Sequence, residues 1–302
     1  MQVLIVGYGS IGKRHHEILS SFKEVRRCDV ITKQKLLMIK TFQTLQECHL
    51  EKYDYIVIAS QTSLHYEQLL YIEQTTKDKI ILVEKPLFNV YKKLRIVNNK
   101  VFVAYNRRFY PILKKIRKLC NNDTCYYVHV ITGQYLPQWR PLRDYKESYS
   151  AKKEEGGGVL LDLSHELDYL QWIFPSMQII TSIDTKISDL QINSDDLCVV
   201  LAKAENTIIN MSVDYISKKF KQDITIHLQE SSLYADLESM RLLQVFKDKS
   251  QKEYDFSQYS KNYSFKRMHR SLLFKTKKSC CSYEEGVKVM QYIKTIQENH
   301  DE

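Results

Sequence analysis

Two stretches far apart in this chain carry side chains suited to moving a proton. One is Glu84-Lys85-Pro86, where the apolar run Ile81-Leu82-Val83 ends in an ionic pair and a proline. A lysine that is desolvated or set beside another cation gives up its proton more readily, so Lys85 is a candidate base as well as a cation for a developing alkoxide. The other runs from Gly156-Gly157-Gly158 through Asp162 to His165, and here the apolar spacing predicts one helix over residues 159–174. Three apart on one helix, Asp162 and His165 share a face, so the carboxylate can orient the imidazole for acid–base work. Taken singly, the same residues also read as a polar loop after a strand and a satisfied helical histidine.

A third pattern supplies a place for a cofactor. Val3-Leu4-Ile5-Val6 runs directly into Gly7-Tyr8-Gly9-Ser10-Ile11-Gly12, a G-x-G-x-x-G turn, and Ile11, His15, Ile18 and Leu19 follow at helical spacing. Gly7 permits the tight turn, Gly9 removes the side chain that would keep a pyrophosphate off the backbone, and Gly12 lets helix and strand pack closely. The N–H groups and positive end of the following helix then face phosphate.

The elements that must position these groups are legible as alternating patterns. Short β-branched runs at 2–6, 25–32, 55–59, 80–83 and 101–104, with a helical pattern at 64–75, predict a doubly wound parallel sheet of the Rossmann type over residues 1–105. Strand ends on the carboxyl side of such a sheet open into the ligand crevice, where Lys85 is expected to project. Beyond Pro111 a helix at 112–119 leads to alternating strands at 125–134, 179–188, 197–204, 207–215 and 223–229, with β-prone sequence to about Phe246. Residues 106–302 are therefore expected to form an α+β domain for substrate binding and oligomerisation, built on a large, mostly antiparallel open sheet. The polar stretch 247–266 reads as a long surface connection. Ser282-Tyr283-Glu284-Glu285 is a capping box for a last helix over 283–297, with Val287, Met290, Ile293 and Ile296 on one face.

Bulk composition narrows the class. With 302 residues, 43% hydrophobic and 27% charged, the chain suits two globular domains, and it has no apolar run long enough to span a bilayer. The Gly-rich turn begins where the apolar region of a signal peptide would still be running, so a cytoplasmic protein with no membrane partner is expected. Seven scattered cysteines without a C-x-x-C pair favour reduced thiols over a metal site or disulfide framework. The net charge of +9 sits in short, separated clusters, which suits anionic small molecules better than nucleic acid.

Together the three motifs resemble the glucose-fructose oxidoreductase / inositol dehydrogenase / MocA family over nearly the whole chain. Gly7-x-Gly9-Ser10-Ile11-Gly12-Lys13-Arg14-His15 is similar to the family's opening, and Ile58-Ala59-Ser60-Gln61-Thr62 with His65 to its nucleotide loop. Glu84-Lys85-Pro86 matches its signature tripeptide, and Asn106-Arg107-Arg108-Phe109-x-Pro111 its entry to the second domain. The closing helix is similar to one that packs back on the nucleotide domain. Three departures stand out. Asp162 and His165 are three apart where four is common, Ile31-Thr32-Lys33 replaces the acidic residue that binds a ribose 2′-hydroxyl, and Gln61 or Thr62 stands for a frequent loop proline.

The resemblance implies an NAD(P)-dependent sugar dehydrogenase, of a branch linked to bacterial surface-polysaccharide and nucleotide-sugar pathways. Cofactor contacts are expected from Gly7, Gly9, Ser10, Ile11, Gly12, Thr32, Lys33, Ser60, Thr62, His65, Glu84 and Lys85, with Lys33 tilting the choice from NAD toward NADP. Catalysis falls to Lys85, His165 and Asp162, expected to converge on one cavity, with Lys85 and His165 both open as the base. Arg108, Trp139, Arg140, Tyr145 and Tyr149 offer rings and donors for a sugar, sugar phosphate or nucleotide sugar. No metal is implied. A homodimer or homotetramer through the open sheet is expected. The reading from another class is a non-catalytic NAD(P)-binding sensor, which keeps the glycine cradle without needing Lys85, Asp162 and His165.

Overall fold

The protein is described by a computed structural model covering residues 1–139, 144–260, 262–274 and 276–299. Its contacts divide into two compact units, Met1–Phe109 with Lys261–Met290, and Tyr110–Ser260 with Gln291–Glu302.

The first unit starts β1 (Gln2–Val6), α1 (Ser10–Ser20), β2 (Arg27–Ile31), β3 (Thr41–Phe42), β4 (Tyr55–Ile58), α2 (His65–Thr75), β5 (Ile80–Val83) and β6 (Lys100–Val103). These strands are parallel in the order β3-β2-β1-β4-β5-β6, the doubly wound arrangement that the alternating pattern predicts. Buried on both faces, β4 and β5 read as continuous apolar runs. Val6 is in register with Ile31 on one side and Ile58 on the other, and Ile58 with Val83. The strands thus end in step, and Thr32, Gly7, Ala59 and Glu84 follow side by side along the carboxyl edge.

The second unit is built from α3 (Pro111–Cys120), β7 (Cys125–Gly133), α4 (Val159–Asp162), α5 (His165–Ile173) and seven further strands: β8 (Gln178–Thr185), β9 (Leu197–Ala204), β10 (Thr207–Asp214), β11 (Lys221–Leu228), β12 (Ser231–Asp236), β13 (Arg241–Phe246) and β14 (Gln251–Asp255). The eight strands form one sheet, β14-β13-β12-β11-β7-β10-β9-β8, antiparallel except where β7 meets β10. Burial alternates along β10 and β11, so one face is packed and the other open. On the packed side α4 lies on β9 and β10, and α3 against α5.

Two expectations are corrected here. The segment 247–266 is not one connection: it holds the edge strand β14 and enters α6 (Tyr263–Leu273), whose Phe265, Met268 and Leu272 join the apolar cluster of the first unit. The helix expected over 159–174 is broken after Asp162, where Leu163 (φ −99°, ψ 24°) leaves helical geometry and a new helix starts at His165.

The first unit closes with β15 (Cys281–Ser282), antiparallel to β6, and the first half of α7 (Tyr283–Glu298), up to Met290. Here the capping box forms as read, with Ser282 N–H donating to Glu285 Oε2 at 2.8 Å and Glu285 N–H to Ser282 Oγ at 3.2 Å. A Cβ on Gly286 would strike Val103, which explains a glycine inside this helix. Among the described residues, no helix is long and apolar enough to cross a membrane.

Candidate functional site

In the first unit the site begins at the turn between β1 and α1. Gly7 has φ +97°, and a Cβ there would lie 2.6 Å from the Ala59 carbonyl oxygen, so β1 and the end of β4 can meet only with glycine. A Cβ on Gly12 would strike the Gly7 carbonyl oxygen. Gly9 is different, because a Cβ there would meet no atom within 4 Å. Its bareness serves no packing need of the chain itself and leaves the backbone open to close approach.

Gly9 also caps α1 without a side-chain hydrogen bond, and no acid stands in the first turn. The first N–H groups of a helix lack partners within it and carry its positive end. An exposed Gly9-Ser10 pair at that end fits a dinucleotide's pyrophosphate. Around it, Thr32 N–H donates to the Phe42 carbonyl at 2.8 Å, and Gln34 Nε2 donates to the Tyr8 carbonyl at 3.2 Å, drawing the end of β2 over the glycine turn. Lys33 is exposed beside them, and the strand end carries no carboxylate among residues 31–34. Gln34 escaped sequence reasoning, since a bridging amide two residues past a strand end has no spacing signal.

Two residues expected to touch the cofactor are also bound into the fold. His65 is 1% exposed, and its Nδ1 lies 3.2 Å from both the Pro86 and Leu87 carbonyl oxygens, tying the start of α2 to the loop after β5. Burial lowers its pKa, which keeps the ring neutral. Glu84 is 7% exposed, with Oε1 2.7 Å from His15 Nε2 and Oε2 accepting the Lys85 N–H at 3.2 Å. Both position the edge from which Lys85 emerges, partly exposed, and the Lys85–Pro86 peptide is cis. Ser60 donates to Gln68 Oε1 at 2.6 Å, and Thr62 sits partly exposed in the turn entering α2.

Arg108, expected at the substrate, lies in the first unit. It is 1% exposed and its Nη1 donates to Glu285 Oε1 at 2.7 Å, which makes it an anchor for the capping box of α7.

In the second unit Asp162 is a hub for three hydroxyl groups. Its Oδ1 accepts from the Tyr149 hydroxyl, and its Oδ2 from Ser150 Oγ and the Tyr215 hydroxyl, each at 2.6 Å. This draws the segment before the three glycines, and the end of β10, onto the foot of α4. The break after Asp162 removes the shared helical face from which an orienting bond to His165 was argued; His165 opens α5, partly exposed. Trp139 meets Tyr215 edge-on at 5.2 Å, and the Tyr145 hydroxyl accepts the Gln191 N–H at 3.2 Å. Arg140 lies outside the described residues. Among those residues no cluster of side chains suited to a metal ion occurs.

Comparison with known proteins bears on the same features. Residues 1–100 match the model of an oxidoreductase family with an NAD-binding Rossmann fold, and residues 113–234 that of the GFO/IDH/MocA C-terminal domain. The chain is 27% identical over 191 residues to myo-inositol 2-dehydrogenase of Thermotoga maritima, covering 57% of this chain and 54% of that protein. It spans about half the length of the curated relatives it matches. Among solved structures it is similar to the super-repressor mutant of Gal80p from Saccharomyces cerevisiae, with a TM-score of 0.84, 16% identity, and 99% and 95% of the two chains covered. It is also similar to the WlbA dehydrogenase from Bordetella pertussis in complex with NADH and UDP-GlcNAcA, with a TM-score of 0.78, 16% identity, and 100% and 97% covered. At these identities the likeness of structures speaks for the fold.

Proposed function

Since the chain belongs to the GFO/IDH/MocA family of oxidoreductases, we propose that it is a nicotinamide-dependent sugar dehydrogenase acting on a carbinol of a free, phosphorylated or nucleotide-linked sugar. The observation that carries this reading is the bare Gly9 turn on the carboxyl edge of the parallel sheet, in step with the strand end that delivers Lys85. When bound, a nicotinamide dinucleotide supplies the hydride chemistry. The turn from Gly7 to Gly12 holds the pyrophosphate on the N–H groups of α1. Ser60 and Thr62 line the neighbouring loop, and Thr32 and Lys33 stand at the ribose end. With a cation and no carboxylate there, a 2′-phosphate is favoured over a 2′-hydroxyl, which supports NADP.

The protein's own chemistry is proton handling and orientation. In the oxidation direction we assign His165 to accept the hydroxyl proton and Lys85 to stabilise the developing alkoxide, with Lys85 the competing base. Asp162 ties residues 149–150 and the end of β10 to the foot of α4, just before α5, through its three hydroxyl partners. Trp139 and Tyr145 offer rings for a sugar, while Tyr149 has its hydroxyl committed to Asp162. The likeness to the WlbA dehydrogenase, solved with NADH and UDP-GlcNAcA, supports a nucleotide sugar as first choice; a role in surface-glycan synthesis in the cytoplasm is part of the same proposal. The open face of the large sheet, where Ile183 and Tyr234 are exposed, suits pairing with a second copy, checked by the mass in solution.

The test is turnover. The protein is incubated with NAD or NADP and a panel of free and UDP-linked sugars, and reduced nicotinamide is followed by absorbance. Turnover that Lys85→Ala and His165→Ala each lower by about a hundredfold or more is expected. Full activity in a folded Lys85→Ala variant overturns the mechanism. A second reading, a nicotinamide-binding sensor, draws on the likeness to a Gal80p super-repressor; tight cofactor binding with no hydride exchange on any sugar would favour it.

A further inference from the structure

Four side chains of the first unit, three of them on α1, β4 and α6 and one just past β5, form one buried chain. Glu84 Oε1 lies 2.7 Å from His15 Nε2, His15 Nδ1 lies 2.8 Å from His269 Nε2, and His269 Nδ1 lies 2.9 Å from the Tyr55 hydroxyl. His15, His269 and Tyr55 are each 0% exposed. The rings are held edge to face, His15 on His269 with centroids 5.0 Å apart and Tyr55 on His269 at 5.7 Å, while Phe265 closes over His15 at 5.5 Å. His269 sits on α6, brought from the far end of the sequence into a core otherwise made by residues 1–109.

The donors and acceptors admit one direction while Glu84 is ionised. A carboxylate only accepts, so His15 donates from Nε2. A neutral imidazole has one donor and one acceptor, so His15 Nδ1 accepts from His269 Nε2–H, and His269 Nδ1 accepts from the Tyr55 O–H. Burial supports neutral groups at the far end of the chain: it lowers the His269 pKa well below its ordinary value and raises that of Tyr55 well above. If Glu84 took up a proton, every bond would reverse, and the Tyr55 oxygen would receive a hydrogen and need another acceptor for its own. Tyr55 therefore sets the polarity at one end and Glu84 reads it at the other. The second oxygen of Glu84 accepts the Lys85 N–H at 3.2 Å, so the same charge holds the backbone from which Lys85 projects.

We propose that Tyr55 and His269 are positioning residues for Lys85: their hydrogen-bond direction, passed through His15, keeps Glu84 an ionised acceptor that fixes the Lys85 peptide. The proposal rests on the assignment of Lys85 to the reaction. Other titratable groups act on the chain as well, Cys280 on Tyr55 and His65 on Glu84.

Long-range 15N–1H spectra of the histidines test it on the intact wild-type protein, with His269→Gln giving the assignment. His15 and His269 are both expected as Nε2–H tautomers, and His269 is expected to stay neutral between about pH 5.5 and 8.5. An Nδ1–H tautomer at either ring, or titration of His269 in that range, overturns the proposal. In Tyr55→Phe, a second tautomer is expected at both rings. Its kcat is expected to fall about tenfold, the acid limb of its pH–rate profile to move to higher pH, and its cofactor affinity to stay within about twofold of wild type. An unchanged kcat and pH profile in Tyr55→Phe, with Lys85→Ala inactive, overturns positioning and leaves the dehydrogenase reading standing. Full activity in Lys85→Ala removes that reading, and the proposal with it.

Discussion

Arg108 Nη1 donates to Glu285 Oε1 across 2.7 Å, and the arginine is 1% exposed while the glutamate side chain remains 39% exposed. A buried guanidinium that loses its carboxylate is left short of a charged acceptor, and Glu285 also accepts the Ser282 N–H at the start of α7. Glu285→Ala is expected to lower the unfolding free energy by about 2 kcal/mol, less than for a fully buried pair because water reaches the glutamate. Urea denaturation measures it. If Arg108 met substrate instead, Arg108→Lys would raise KM and leave the urea midpoint where it was.

The glycines of the cradle predict a separation of folding from binding. Gly7→Ala places a Cβ 2.6 Å from the Ala59 carbonyl at φ +97°, so both thermal stability and nucleotide binding should fall. Gly9→Glu adds a side chain where no atom lies within 4 Å, so the fold tolerates it while a carboxylate now meets the pyrophosphate. Its melting temperature should match wild type, and affinity for reduced nicotinamide cofactor, read by fluorescence titration, should fall by at least about a hundredfold. Equal affinity in a folded Gly9→Glu protein would place the nucleotide elsewhere.

Cofactor choice is tested at the end of β2. Lys33 is exposed, follows Thr32, and has no acidic neighbour among residues 31–34. Lys33→Ala should weaken NADP about tenfold and leave NAD unchanged, since only the former presents a phosphate to the ammonium. Calorimetric titration with both nucleotides decides, and equal losses for the two would assign Lys33 to the shared part of the molecule.

The parts of this site that are local in sequence were legible there. Apolar Gln2–Val6 followed by three spaced glycines, Ile80–Val83 followed by Glu84-Lys85, and the Ser282–Glu285 capping box each announce their structure within a few residues, and each forms. The helix break after Asp162 was not legible, because apolar residues run through it from Val159 to Ile173 and their period hides a change of axis. The edge strand β14 is polar and largely exposed, so it lacks the alternation that marks a half-buried strand. In α6 the spacing of Phe265, Met268 and Leu272 is helical, yet it follows a polar stretch that suggested a connection. What brings His269 to His15 is tertiary packing across 254 residues, which no local pattern carries. The same distance hides why Arg108 is an anchor: its partner Glu285 is 177 residues away.

A carboxyl pair in the second unit gives a prediction about pH. Asp184 is buried, and burial, the neighbouring charge of Asp195 and the hydrogen bond between them push its pKa from 3.8 up to about 8. Asp195 also lies high, chiefly through desolvation, against the pull of the Leu160 N–H that it accepts at 2.9 Å. A carboxyl whose pKa is raised in the folded state binds a proton there that the unfolded chain has released, so its contribution is full below the ordinary value near 4 and is lost as pH rises through about 8. Stability carried by this pair therefore declines between those limits, opposite to an ordinary salt-bridged aspartate. Asp184→Asn keeps a donor toward Asp195 and removes the ionisation. At pH 5 it should unfold at nearly the wild-type urea midpoint, and at pH 9 it should be more stable than wild type by on the order of 4 kcal/mol. Curves that stay parallel from pH 5 to 9 would mean that Asp184 is already ionised in the folded protein and that the two carboxyls share no proton.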